Sequence, residues 1–158
     1  MTELAIHARR IIDETKYMAL GTADETGHPW VSPVWFACED YRHFHWVSAH
    51  ETRHSQNLEA RPEVAVAIYD PSVAIGAAGA VFIRGRAQEL TGVELERGIE
   101  IFDRQSRTNE GPGWQLSDVQ PPSPHRLYQA TAAEHFVLIA GRDPEHGTGI
   151  DRREPVTL

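Results

Sequence analysis

Apolar positions along the chain change period several times, and each change marks an element. Leu4, Ala8, Ile11 and Ile12 recur at helical spacing within Thr2–Thr15, with Ile6 on the flank. Thr2 stands where an N-cap belongs and Glu3 puts negative charge in the first turn, so this stretch reads as a helix. The period then shortens. YMALGT (Tyr17–Thr22) is a strand, and Asp24-Glu25-Thr26-Gly27 has turn chemistry. HPWVSPVWFAC (His28–Cys38) is a second strand, Glu39-Asp40 turns the chain, and RHFHWVS (Arg42–Ser48) is a third. Loops this short predict an antiparallel meander.

Thr52–Ala60 reads as a short helix stopped at Arg61-Pro62, because the residue before a proline disfavours the helical region. EVAVAIY (Glu63–Tyr69) is a strand, residues 70–79 are a Gly/Ala/Pro loop, and AVFIRGRAQEL (Ala80–Leu90) is a long strand. Gly85 inside it marks a bulge or a barrel corner. Thr91 and Glu94 fit a capping box that opens a helix running to Gln105. RLYQAT (Arg126–Thr131) and HFVLI (His135–Ile139) form the last strand pair. Residues 1–140 make one domain, and 141–158 are expected to be a polar, mobile tail. At least six strands without a βαβ alternation imply closure as a barrel or sandwich. The second strand is apolar on both faces: Trp30, Val34 and Phe36 on one, Val31, Trp35 and Ala37 on the other. A second subunit is the expected cover, and a helix of the same chain is the alternative.

Composition narrows the partners. The chain has 158 residues, enough for one domain with a real core, and 41% of them are apolar. With 23 Asp and Glu against 15 Lys and Arg the net charge is -8, which repels nucleic acid and anionic lipid. Cys38 is the only cysteine, so neither an intrachain disulfide nor a cysteine metal cluster is expected. The N-terminal stretch carries charges and lacks the apolar core of a secretion signal, and no run reaches membrane-spanning length. A cytoplasmic location is the expectation.

Candidate chemistry concentrates between Trp46 and Asp70. A strand ends at Ser48, a short loop follows, and Arg53, His54 and Asn57 open the next helix. A hydroxyl, a guanidinium, an imidazolium and the free N–H groups of a first helical turn are the donors a phosphate monoester needs. In the second strand, Pro33 lacks an N–H and is expected to interrupt the ladder, freeing neighbouring backbone groups for a ligand. Trp30 and Trp35 offer apolar walls.

The order YMALGTADETGHPWVSPVWF, FHWVSAHETRHSQNLEARPEVAVAIY, AVFIRGRAQEL resembles the pyridoxamine 5′-phosphate oxidase-like, FMN-binding split-barrel family, from about Lys16 to Leu90 and more loosely to Leu138. The resemblance implies a mainly β (α+β) fold, a six-stranded antiparallel split β-barrel with flanking helices, holding FMN between the subunits of a homodimer. It implies that Arg53 and His54 grip the phosphate, with the Ser48 hydroxyl and the Val47 backbone beside them. Ser32, Pro33, Val34 and Trp35 then lie on the strand that meets the flavin ring, and Phe136 is an aromatic residue near the flavin supplied by one of the two subunits. Asn57 holds the local turn. His54 stands where many members have lysine. LIAGRDPEHGTGIDRR lacks the Arg-x-His substrate motif, so vitamin B6 phosphates are not the expected substrate.

The expected function is therefore an FMN-dependent oxidoreductase acting on a small molecule. A deazaflavin-dependent reductase and a non-enzymatic flavin or haem binder are the alternatives. His43 and His45 at period two and His50 and His54 at i,i+4 motivate the haem variant, but exposed histidines and no metal are expected. No G-x-S-x-G elbow supports a hydrolase. Arg84 and Arg86 flank Gly85 on one strand face, as a surface pair or facing an anionic substrate. Trp114 is expected to tuck against its own subunit.

Overall fold

A computed structural model describes all residues 1–158. The helices are α1 Glu3–Glu14, α2 Arg53–Ala60 and α3 Gly92–Thr108. The strands are β1 Tyr17–Ala23, β2 Pro29–Trp35, β3 Ala37–Glu39, β4 His43–Ala49, β5 Glu63–Tyr69, β6 Ala80–Glu89, β7 His125–Ile139 and β8 Arg152–Val156. They form one antiparallel sheet in the order β2-β1-β5-β6-β7-β4-β3, with β8 laid beside β7. Its two ends, β2 and β3, are joined through Phe36, so the sheet curls until its edges approach. Phe36 is buried at that corner, and its N–H donates to the Lys16 carbonyl at 3.3 Å.

Strand alternation sends Leu20, Val34, Phe44, Trp46, Ile68 and Val81 into the barrel, where α1 adds Ala8, Ile11 and Ile12. The Trp46 ring stacks on Tyr128 at 5.7 Å. Thr2 caps α1 as expected, its Oγ1 accepting from the Ala5 N–H at 3.2 Å. A second, smaller core lies outside the barrel, where Leu95, Ile99 and Phe102 of α3 cover Ala37 and Leu127. Gln105 clasps α3 to β3: its Oε1 accepts from the Cys38 N–H at 2.9 Å and its Nε2 donates to the Cys38 carbonyl at 2.7 Å.

The mainly β split barrel with flanking helices is what the sequence implies, but the count of six strands is corrected to eight. The second strand breaks at Phe36 into β2 and β3, a corner that a run apolar on both faces conceals. The last strand pair is one continuous strand, β7. Its apparent break is a bulge: Arg84 pairs with Glu134 and Gly85 with Ala132, leaving Ala133 as the extra residue. The tail is not free throughout, since Arg152–Val156 pairs with His135–Ile139, and Val156 and Leu158 reach the core. Thr91 occupies the N-cap of α3 without a side-chain cap bond. A closed capping box forms instead between Gln115 and Asp118 at the 3-10 turn Leu116–Val119.

Candidate functional site

The barrel fails to close along one line. β3 covers the edge of β4 only as far as His45, because Ala37 pairs with His45 and Glu39 with His43. From Trp46 to Ala49, β4 has β7 on one side and no strand on the other. β2 pairs with β1 along its whole length and its second edge is also free. β2 and β4 touch, so these two unpaired edges flank a split. Backbone N–H and C=O groups on such edges seek partners, which makes the split a seat for a ligand that both donates and accepts. The ladder to β1 runs unbroken through the Ala19–Pro33 pair, correcting the expected interruption. An edge strand tolerates proline, and the free groups lie on the opposite edge.

At the head of the split, β4 ends and α2 begins. Arg53 is exposed, makes no ion pair, and holds its guanidinium carbon 4.9 Å from the centre of the Trp30 ring. Trp30 Nε1 in turn donates to Ser32 Oγ at 3.1 Å. Ser48 and His54 come together as expected, with His54 Nε2 2.8 Å from Ser48 Oγ. Thr52 is the hub sequence reading missed. Its hydroxyl donates to the Ala49 carbonyl at 2.9 Å and lies 3.2 Å from His54 Nε2 and 2.8 Å from Ser55 Oγ. No spacing rule singles out this threonine, because its role rests on the fold of the turn.

His54 differs from expectation. It is buried, and burial lowers its pKa below the usual histidine range, so the ring is neutral and bonded inward rather than a free cation. Ser48 is buried with it. Arg53 is therefore the one cation of the expected pair that faces outward. Beside it a cavity of about 530 Å³ is lined by Asp24, Glu25 and Glu51 as well as Arg53. Bonds from the Thr26 hydroxyl and the His28 backbone hold Asp24 down at about 2, so it stays ionised. Asn57 is buried and donates to Thr22 Oγ1 at 3.0 Å, so its side chain ties α2 to β1 rather than holding the local turn.

The remaining expected residues divide between the faces of β2 and β4. Val34 is buried in the barrel core, while Trp35 and Val47 are half-buried against the second core. Trp35 meets Phe102 edge-on at 4.5 Å, and Phe102 meets Trp114 at 5.6 Å, so Trp114 is tucked against its own chain. Pro33 is exposed on the outer side. Phe136 lies apart on the outer wall of β7, lining with Val31 a cavity of about 490 Å³.

The histidines are less exposed than expected. His45 is 1% exposed beneath α3, and desolvation by burial brings its pKa down to about 4 despite the nearby Glu39. Its Nε2 lies 3.3 Å from Gln129 Nε2, while Nδ1 has no partner. His43 is half-buried beside Thr131. A histidine with its folded pKa lowered binds its proton more readily when unfolded, so stability is full above about 6.5 and is lost as pH falls toward 4. Urea unfolding at stepped pH is expected to show that loss, and His45→Gln is expected to flatten it. An equally steep profile in the variant would refute the assignment.

A curled antiparallel sheet, split between two free strand edges with a helix start at the head of the split, defines a split-barrel protein. The chain belongs to the pyridoxamine 5′-phosphate oxidase family, whose model matches residues 4–139. Several solved structures share the fold. A haem-binding protein from Mycobacterium smegmatis superposes with a TM-score of 0.71 at 20% identity, over 98% of this chain and 59% of that one. HutZ, the haem storage protein from Vibrio cholerae, gives 0.68 at 19% identity, over 92% and 100%. An F420 reductase gives 0.60 at 16% identity, over 81% and 94%. No curated protein matches the sequence.

Proposed function

We propose that the chain is a homodimeric FMN-dependent oxidoreductase acting on a small molecule, with the flavin along the split and its phosphate on Arg53. The observation that carries this reading is the pairing of two unpaired strand edges with an arginine that has no carboxylate partner at their head. Bound FMN supplies the hydride and electron chemistry. The chain supplies grip and orientation. The free edge of β2 offers donors and acceptors to the pyrimidine side of the ring. The Ser48–Thr52–His54 network fixes the turn from which Arg53 projects.

The outer faces of β1, β2 and β5 support the dimer. Tyr17 is 61% exposed, Val31 64% and Tyr69 46%, an apolar patch of the kind that a second copy covers. In that dimer Phe136 serves the flavin site from one of the two subunits. The acidic net charge argues against nucleic-acid and anionic-membrane partners. No helix is long and apolar enough to cross a membrane. A cytoplasmic location, part of the same proposal, rests on the single cysteine, which suits a reducing compartment.

A deazaflavin cofactor makes the same demands on Arg53 and the split, and one protein of this fold is an F420 reductase. Haem is less well served, because His54 at the head of the split is buried and bonded to Ser48. Denaturing the purified protein and weighing the released chromophore tests the proposal. FMN is expected, from a protein that sediments as a dimer. A deazaflavin would support the neighbouring reading, and haem, or a failure to take up any flavin on incubation, would refute both.

A further inference from the structure

Arg53 stands among carboxylates and pairs with none of them. Asp24, Glu25 and Glu51 line the cavity beside it. The basic side chains that reach Asp24 and Glu51 are instead His28, at 3.5 Å, and His50, at 4.0 Å. A long, exposed arginine in such surroundings is drawn to the nearest carboxylate, and an arginine already neutralised grips phosphate poorly. The Arg53 guanidinium is held away by the ring of Trp30, whose centre lies 4.9 Å from its carbon. Stacking occupies the flat face of the guanidinium and leaves the in-plane N–H fork free for an anion.

Trp30 is itself fixed at side chain and backbone. Its Nε1 donates to Ser32 Oγ at 3.1 Å. Its carbonyl accepts from the hydroxyl of Thr22, its partner in the β1–β2 ladder, at 3.4 Å. Thr22 Oγ1 in turn accepts from Asn57 Nδ2 at 3.0 Å. Asn57 lies one helical turn beyond Arg53 on α2, so the helix meets the β1–β2 hairpin twice. Arg53 lies on the Trp30 ring, and Asn57 reaches the Trp30 backbone through Thr22. Thr22 and Asn57 are each 5% exposed, so this second tie is shielded from water and fixes the platform relative to the helix that carries Arg53.

We infer that Trp30 is a positioning residue for the phosphate grip: it holds the Arg53 guanidinium preset at the head of the split and out of reach of the neighbouring carboxylates. The inference rests on the flavin reading of the split. It gives Trp30 a role other than the apolar wall expected from its residue type, because the ring face under Arg53 is not open to a flavin. The gain is in preorganisation, since an arginine already stacked in place loses less rotamer freedom when the anion arrives.

The test titrates FMN and riboflavin, which differ in the phosphate, into wild-type and variant protein by flavin fluorescence. Trp30→Leu is expected to weaken FMN binding about three- to tenfold, the scale of one exposed cation–π contact with its preorganisation, and to leave riboflavin binding unchanged. Trp30→Phe keeps a stacking face and is expected to keep most of the FMN affinity. In the Arg53→Ala background, adding Trp30→Leu is expected to cost nothing further, because the ring acts through the guanidinium. Trp30 is 43% exposed, so these variants are expected to fold, and melting temperatures check this. Riboflavin weakened as much as FMN would make Trp30 a wall of the ring site and overturn the inference. So would a full Trp30→Leu effect in the Arg53→Ala background, or wild-type FMN affinity in Trp30→Leu. If the wild-type protein binds neither flavin, the flavin reading falls, and the platform is judged by the Arg53 Nε–H resonance of isotope-labelled protein titrated with inorganic phosphate. That resonance is expected to be shifted upfield by the Trp30 ring, to lose the shift in Trp30→Leu, and to respond to phosphate more weakly there. A position and response that Trp30→Leu leaves unchanged overturn the inference by this route as well.

Discussion

Gly85→Ala is expected to destabilise the fold by about 2–4 kcal/mol, the range of severe overpacking against atoms that cannot yield. Gly85 sits at the register slip between β6 and β7. A Cβ there would press into the Thr131 carbonyl oxygen and lie 3.3 Å from Ala132 Cα, and both obstacles are backbone. β7 cannot retreat, because it is held on its other side by β4 and β8. Gly98 gives the contrast. A Cβ there meets Leu90 Cδ1 at 2.7 Å and Leu127 Cδ2 at 3.0 Å, the ends of side chains that can turn aside. Gly98→Ala is therefore expected to do less harm. Urea midpoints at constant slope measure the difference, and the melting temperature of Gly85→Ala should fall by roughly 5–15 °C. A wild-type midpoint in Gly85→Ala would mean that the bulge is not built as described. The consequence reaches the functional surface, since the bulge sets the register that brings Phe82 opposite Phe136 on the outer wall.

Gly85 also illustrates what sequence alone discloses. A glycine inside a strand pattern announces a bulge or corner, and the bulge is there. The neighbouring signal was ambiguous: Ala132-Ala133-Glu134 reads as a gap between two strands, because a bulged residue breaks the alternation just as a loop does. Phe36 failed to announce itself for the opposite reason. It continues an apolar run while the backbone turns from one edge of the sheet to the other. β8 was hidden because Arg152-Arg153-Glu154-Pro155 has no apolar alternation, and its pairing depends on an edge of β7 that only the assembled barrel presents. At the site, residue types and order suggested Ser48 and His54 as neighbours, and their side chains meet. Residue types and order did not reveal which side chains would face outward. Orientation is decided by Thr52, whose hydroxyl ties together the Ala49 carbonyl, Ser55 and the His54 ring, and by the burial that makes a neutral imidazole the stable form.

Because His54 is turned inward, the grip on phosphate should rest on Arg53 more than an arginine–histidine pair suggests, and Arg53→Ala is the sharpest test of the site. Loss of a charge-assisted contact of about 1.5–3 kcal/mol lowers affinity for FMN roughly 10- to 150-fold. The upper part of that range is expected, because the adjoining cavity brings Asp24, Glu25 and Glu51 near the vacated position. Without the Arg53 guanidinium, the dianion meets these carboxylates with Arg61, which donates to the Glu25 carbonyl at 3.0 Å, as the neighbouring cation. Arg53→Lys restores the charge but not the planar fork or its stacking on Trp30, so it should recover only part of the loss. Fold and assembly should survive, since Arg53 is exposed and forms no ion pair, and melting and sedimentation check this in the same preparations. Flavin fluorescence titration reads the affinity. Wild-type affinity in a folded Arg53→Ala dimer would place the phosphate elsewhere. Affinity that instead tracks His54→Gln would mean that the ring leaves Ser48 to meet the ligand.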